Sequence, residues 1–135
     1  MNARQRKMRL PDYLSHMLEA TQLAQKHVGG VSKEEFLDNR MMQQAVLMNL
    51  VIIGEAATQI RDECPEFIDA NPNPALPWHQ MIGMRNRVAH VYFDVDLDVV
   101  WVAVKDHLPA LERYLAGLPE LSGIPLEPSA DESRL

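Results

Sequence analysis

A single cysteine, Cys64, stands in 135 residues, so no intramolecular disulfide can form and no thiolate cluster is available to a metal. Beside Pro65 it reads as a small packing residue rather than a nucleophile. Long apolar runs are missing too. The longest, AVLMNLVIIGEAA from Ala45 to Ala57, is too short to span a bilayer and contains Asn49 and Glu55. It reads as a buried helix. The basic start MNARQRKMRLPDYL meets Pro11 and Asp12 without the apolar core of a secretory signal, so a cytoplasmic location is expected. No segment shows the sustained alternation of a half-buried strand. His16, His27, His79 and His107 fall at no ligand spacing, and the acidic run DVDLD (Asp94 to Asp98) suits a helix start better than an ion site. Neither a metal nor another cofactor is expected.

Charge is unevenly spread. The net value of −6 argues against a surface that binds nucleic acid in bulk. Yet Arg4, Arg6, Lys7 and Arg9 crowd the first nine residues, and Glu120, Glu127, Asp131 and Glu132 face only Arg134 at the other end. Any contact with RNA must use a local basic site.

Four segments carry apolar residues at helical spacing. In the first, Leu10, Leu14, Met17, Thr21, Ala24 and Val28 advance by fours and threes until Gly29 and Gly30. Ser32 with Glu35 reads as a capping box opening a short helix. The long central helix is predicted from about Arg40 to Glu63, where Pro65 ends it. It bears two stripes, one of Met41, Ala45, Met48, Ile52 and Glu55 and one of Val46, Leu50, Ile53, Ala57 and Ile60. Apolar over so much of its circumference, it needs neighbours on more than one side, in a bundle or across a dimer interface. CPEFIDANPNPALPW holds four prolines and reads as a long connection with a helical turn near Glu66 to Ala70. The third long helix starts at Pro77 or Trp78, with Trp78, Met81, Ile82, Arg85, Val88 and Ala89 along one face. The fourth has Asp96 as N-cap and Leu97, Trp101, Val104, Leu108, Leu111 and Leu115 as its stripe, ending at Gly117 and Pro119. The expected fold is all-α: an antiparallel four-helix bundle with a short accessory helix. A basic N-terminal arm (1–9) precedes the helical domain (10–118), and an acidic, Pro-rich tail (119–135), poorly ordered or draped on the surface, follows it.

RNRVAHVYFDVD, from Arg85 to Asp96, is the segment least explained by packing. Arg85 takes a place on the apolar stripe, while Arg87, about 200° away on an ideal helix, points elsewhere. An inward guanidinium needs a partner, and Glu55, also at a stripe position, is the candidate. His90 lies about 140° from Arg85 on a continuous helix, so the two converge only where the helix ends or bends. Tyr92 then stands on the connection, within reach of the same hollow. On the residues alone, a plain Arg85/Glu55 salt bridge and a His90 helix cap remain open readings. Tyr92 could equally be a packing residue.

Arg85, four residues, His90, one residue and Tyr92 resemble the Arg-x-x-x-x-His-x-Tyr motif of HepT-like toxins in the HEPN (higher-eukaryote-and-prokaryote nucleotide-binding) superfamily. PWHQMIGMRNRVAHVYFDVD is similar to the family's signature segment throughout. IIGEAATQIR and DYLSHMLEA resemble its central and first helices, over roughly residues 10–118. The resemblance implies a HEPN-like all-α homodimer acting as a metal-independent ribonuclease toxin on an RNA substrate. It implies as partner a minimal nucleotidyltransferase antitoxin, which in some systems adenylylates the motif tyrosine. Carried over, Arg85 and His90 become the catalytic pair, Tyr92 the modified residue and Asn86 a matching polar position. Glu55, read from its stripe position, is a candidate to orient Arg85 or His90. Arg87 would hold RNA phosphates. Histidine titrates near neutrality and arginine is a permanent phosphate ligand, which suits transesterification to a 2′,3′-cyclic phosphate. One histidine per chain is few for acid and base together, so a two-fold cleft lined by both copies is expected. The competing reading is a noncatalytic helical module whose cleft binds a nucleotide or a partner protein.

Overall fold

The computed structural model describes residues 8–72, 77–90 and 94–122, with only the backbone of Ala89 and His90. Helix α1 (Leu10–His27) opens with the Asp12 carboxylate accepting the Arg9 N–H at 2.8 Å and buries Leu14, Met17, Ala20 and Ala24. Gly30, at φ 73°, supplies the left-handed turn after it. Helix α2 (Lys33–Leu37) starts at the expected capping box. Ser32 Oγ accepts the Glu35 N–H at 3.1 Å and Glu35 Oε1 accepts the Ser32 N–H at 2.8 Å. The Ser32 backbone N–H, and after it the Ser32 side chain, hold the Glu35 carboxyl below its usual pKa.

Helix α3 (Arg40–Glu63) has the bounds expected of the central helix, with Asn39 as N-cap. The packing separates its two stripes. Val46, Leu50, Ile53, Ala57 and Ile60 are buried, whereas Met41 is 80%, Met48 59% and Ile52 37% exposed. The short α4 (Pro65–Ala70) comes next, and the proline-rich connection is pinned at both ends. Trp78 Nε1 donates to Asn71 O at 2.9 Å, Tyr114 Oη donates to Asn71 Oδ1 at 3.2 Å, and Trp78 meets Phe67 edge-on. These contacts fix where α5 (Trp78–His90) begins.

The last rod runs from Leu97 to Ala116 in three stretches: α6 (Leu97–Val102), a π-helical turn (Ala103–His107) and α7 (Leu108–Ala116). Asp96 caps it, its Oδ1 accepting from Asp98 N and Val99 N. The uninterrupted α-helix read from the spacing is corrected here, and Pro109 explains the difference. Its nitrogen carries no proton and its ring would strike the carbonyl four residues back, so the chain widens by one residue before it, with Leu108 N–H on Ala103 O. The inward stripe consequently steps Val100, Val104, Leu108, Leu111, Leu115, leaving Trp101 half-buried against Phe36 with Lys105 over its ring. Past Gly117 the chain does not leave the surface at once. Helix α8 (Pro119–Ser122) buries Leu121 against α1, so packing extends past Pro119.

Four long rods (α1, α3, α5 and α6 to α7) thus carry the core, with α2, α4 and α8 as short accessories, and no strand occurs among the described residues. The fold class is all-α, as expected. No helix among the described residues is long and apolar enough to cross a membrane. Helix α3 lies centrally between α1 and α5, while α5 packs chiefly on α3.

One residue sets the α3/α5 distance. A Cβ at Gly54 would lie 2.8 Å from Arg85 N and 2.9 Å from Met81 O, closer than real carbons approach, whereas a Cβ at Gly83 meets nothing within 4 Å. Gly54→Ala should therefore push the helices apart and destabilise by about 2 kcal/mol. Gly83→Ala should stabilise by roughly 0.5–1 kcal/mol through helix propensity alone. Urea denaturation of the two variants checks the contrast.

Candidate active site on helices α3 and α5

Because α3 and α5 meet at Gly54, the next residue along α3, Glu55, stands beside Arg85. Arg85 Nη1 donates to Glu55 Oε1 at 2.9 Å, and Arg85 Nη2 donates to Asn86 Oδ1 at 3.2 Å. Glu55 uses its second oxygen elsewhere: Gln59 Nε2, one turn further along α3, donates to Oε2 at 3.2 Å. The pairing of Arg85 with Glu55 read from the stripes is present. Its setting differs from the inward one expected, since the side chains are 43% and 44% exposed. A stem among apolar neighbours with the head at the surface is how a long cationic side chain satisfies a stripe position.

Arg87 faces away from this pair. It lines a groove of about 330 Å³ between α5 and α6, walled by Met84, Val88, Val95, Val99 and Val100 and floored by Leu50. A second hollow of about 420 Å³ continues it toward Gln80 and His107. Arg87 has no ion-pair or hydrogen-bond partner among the described residues; Asp94 and Asp96 edge the groove and Asp98 the second hollow. One chain therefore does not bring Arg85 and Arg87 together. His90 is the last residue of α5; its side chain, like Tyr92, lies outside the described residues, and so does the expected convergence with Arg85. No group of three His, Cys, Asp or Glu residues among those described could hold a metal ion.

Two participants do not stand out in the sequence, though each leaves a signal there. Gln59 comes four residues after Glu55, the spacing at which helical side chains meet. Gly54, a poor helix former in the middle of a long helix, is the usual mark of a close backbone approach.

The all-α bundle is consistent with the HEPN-like class that the R-x4-H segment resembles. Comparison places the chain within that class: a family model described as "Ribonuclease HepT-like" matches residues 17–118, and the chain belongs to the HepT-like ribonuclease family. It is similar to a "Probable ribonuclease HepT" of Thermococcus cleftensis, 36% identical over 101 residues, covering 75% of this chain and 87% of the relative. Relatives with RNase in their names include one from Methanocaldococcus jannaschii, 33% identical over 101 residues (75% and 88% covered). Another, from Caldanaerobacter subterraneus, is 31% identical over 103 residues (76% and 88% covered). No solved structure matches the chain.

Half-exposed ion pairs contribute little to stability, so the coupling between Arg85 and Glu55 in a double-mutant cycle of unfolding should be below about 1 kcal/mol. A coupling of several kcal/mol would make the pair a structural strut.

Proposed function

We propose that the protein is an endoribonuclease serving as the toxin of a toxin–antitoxin pair, with Arg85 and His90 as catalytic residues. The observation that carries this reading is the half-exposed Arg85 guanidinium, held at the surface five residues before the end of α5 in a chain of the HepT-like family. The names of the relatives support RNA as substrate.

RNA brings its own nucleophile. His90 accepts the 2′-hydroxyl proton as O2′ attacks phosphorus, Arg85 stabilises the charge gathering on the phosphoryl oxygens, and the 5′-oxygen leaves after gaining a proton. The products are a 2′,3′-cyclic phosphate and a 5′-hydroxyl, and the scheme needs no metal. Asn86 and Arg87 serve as further RNA contacts, with Glu55 orienting Arg85.

The exposed stripe of α3 supports a homodimer. Met41, Ala45, Met48, Ile52 and Glu55 repeat by fours and threes, the seam along which helices pair. The seam's far end is the partner of Arg85. A second copy seated there would bring two Arg85/His90 sets to one cleft and supply a separate acid and base. A nucleotidyltransferase antitoxin in the same cytoplasm silences the site. Adenylylation of Tyr92 would add bulk and negative charge where RNA phosphates enter.

Arg85→Ala and His90→Ala should each lower cleavage of single-stranded RNA by ~10²–10⁴-fold, with wild-type activity intact in EDTA and cyclic phosphate ends detected by mass spectrometry. A wild-type protein that cleaves nothing yet still binds its antitoxin would instead be the noncatalytic module. Met48→Asp with Ile52→Asp should yield a monomer in analytical ultracentrifugation and abolish cleavage. A fully active monomer would remove the shared cleft. Co-expression with the antitoxin should add the mass of an adenylyl group at Tyr92.

A further inference from the structure

Glu55 has two oxygens and divides them. Oε1 takes one nitrogen of Arg85, and Oε2 takes the amide of Gln59. Arg–carboxylate pairs tend to close as a two-pronged fork, which is both stronger and more directional than a single bond. Here the fork is not closed. Burial does not hold it open, because both side chains are nearly half exposed. What restrains the carboxylate is the bond from Gln59, whose side chain stands one turn along the same helix face. The second guanidinium nitrogen is left to Asn86 Oδ1, a neutral acceptor at 3.2 Å on the exposed surface, which a phosphate oxygen can replace.

We propose that Gln59 is a positioning residue: by holding Oε2 of Glu55 turned toward its own helix it keeps that carboxylate from swinging into a fork on Arg85, and so leaves one edge of the guanidinium open to an RNA phosphate. The inference rests on the reading of Arg85 as a phosphate ligand. Without the amide, Glu55 turns its free oxygen toward Arg85 and competes directly with the substrate. Gln59 thereby sets how tightly RNA is held without touching the reacting atoms.

Gln59→Leu removes the amide and keeps the bulk. Cleavage of a fluorogenic single-stranded RNA gives KM and kcat, and anisotropy with a 2′-O-methyl RNA of the same sequence, which lacks the nucleophile, gives Kd. Both KM and Kd should rise roughly tenfold, the scale of one charge-assisted hydrogen bond, with kcat within about twofold of wild type. In a Glu55→Gln background the same substitution should change Kd by less than about twofold, because a neutral amide forms no charged fork. Gln59→Met, less branched, repeats the comparison should the leucine variant not fold. An unchanged Kd for Gln59→Leu, or an equal rise in both backgrounds, overturns the proposal while leaving the ribonuclease reading in place. If Arg85→Ala leaves Kd unchanged, the phosphate-ligand reading has failed and this inference falls with it.

Discussion

At Gly54 the backbones of α3 and α5 come so close that there is no room for even a methyl group. Everything notable about the candidate site depends on that contact. It carries Arg85 to within 2.9 Å of Glu55, the residue immediately after the glycine. A bulkier residue would separate the two helices and with them the two charges. The cost is a weaker helix at that point, since glycine lacks a side chain to restrict the unfolded chain. Apolar packing on both sides of the glycine, from Leu50, Ile53, Ala57 and Met81, offsets it.

Helix α3 divides its circumference between two tasks. One face is buried against α1 and α5, and the exposed stripe presents Met41, Met48 and Ile52 to solvent before running into the Glu55–Gln59 pair. The polar and apolar parts of that stripe merge at Glu55. An ion pair of this exposure adds little to folding, so its physical significance lies in how it orients a guanidinium. Arg87, in its own groove away from that pair, is separately placed and has a different electrostatic neighbourhood, with Asp94 and Asp96 on the groove and Asp98 on the adjoining hollow.

Much of this architecture is legible in the sequence. The apolar run and Pro65 give the bounds of α3, side-chain chemistry gives the Ser32/Glu35 box and the Asp96 cap, and two charges on two stripes give the Arg85/Glu55 pair. Periodicity cannot say which stripe of α3 is covered within one chain, because both repeat at helical spacing and only the placement of α1 and α5 decides. Nor does it reveal the half-exposure of Arg85, since a long side chain can hold a stripe position and still reach water. The Leu97 to Leu115 pattern looks unbroken because its spacing is ideal on paper, while Pro109 changes the backbone beneath it. Gln59 is inconspicuous for a simpler reason: an amide on a helix face usually meets only solvent.

The π turn ahead of Pro109 acts as a phase shifter. One surplus residue in a helix rotates the N-terminal part of the rod by roughly 100° relative to the C-terminal part. The aliphatic wall of the α5–α6 groove is therefore aimed from a distance: Val99 borders that groove because of an imino acid ten positions downstream. Gaining or losing that one ring would turn a different set of side chains toward Arg87 without altering any residue that lines the groove.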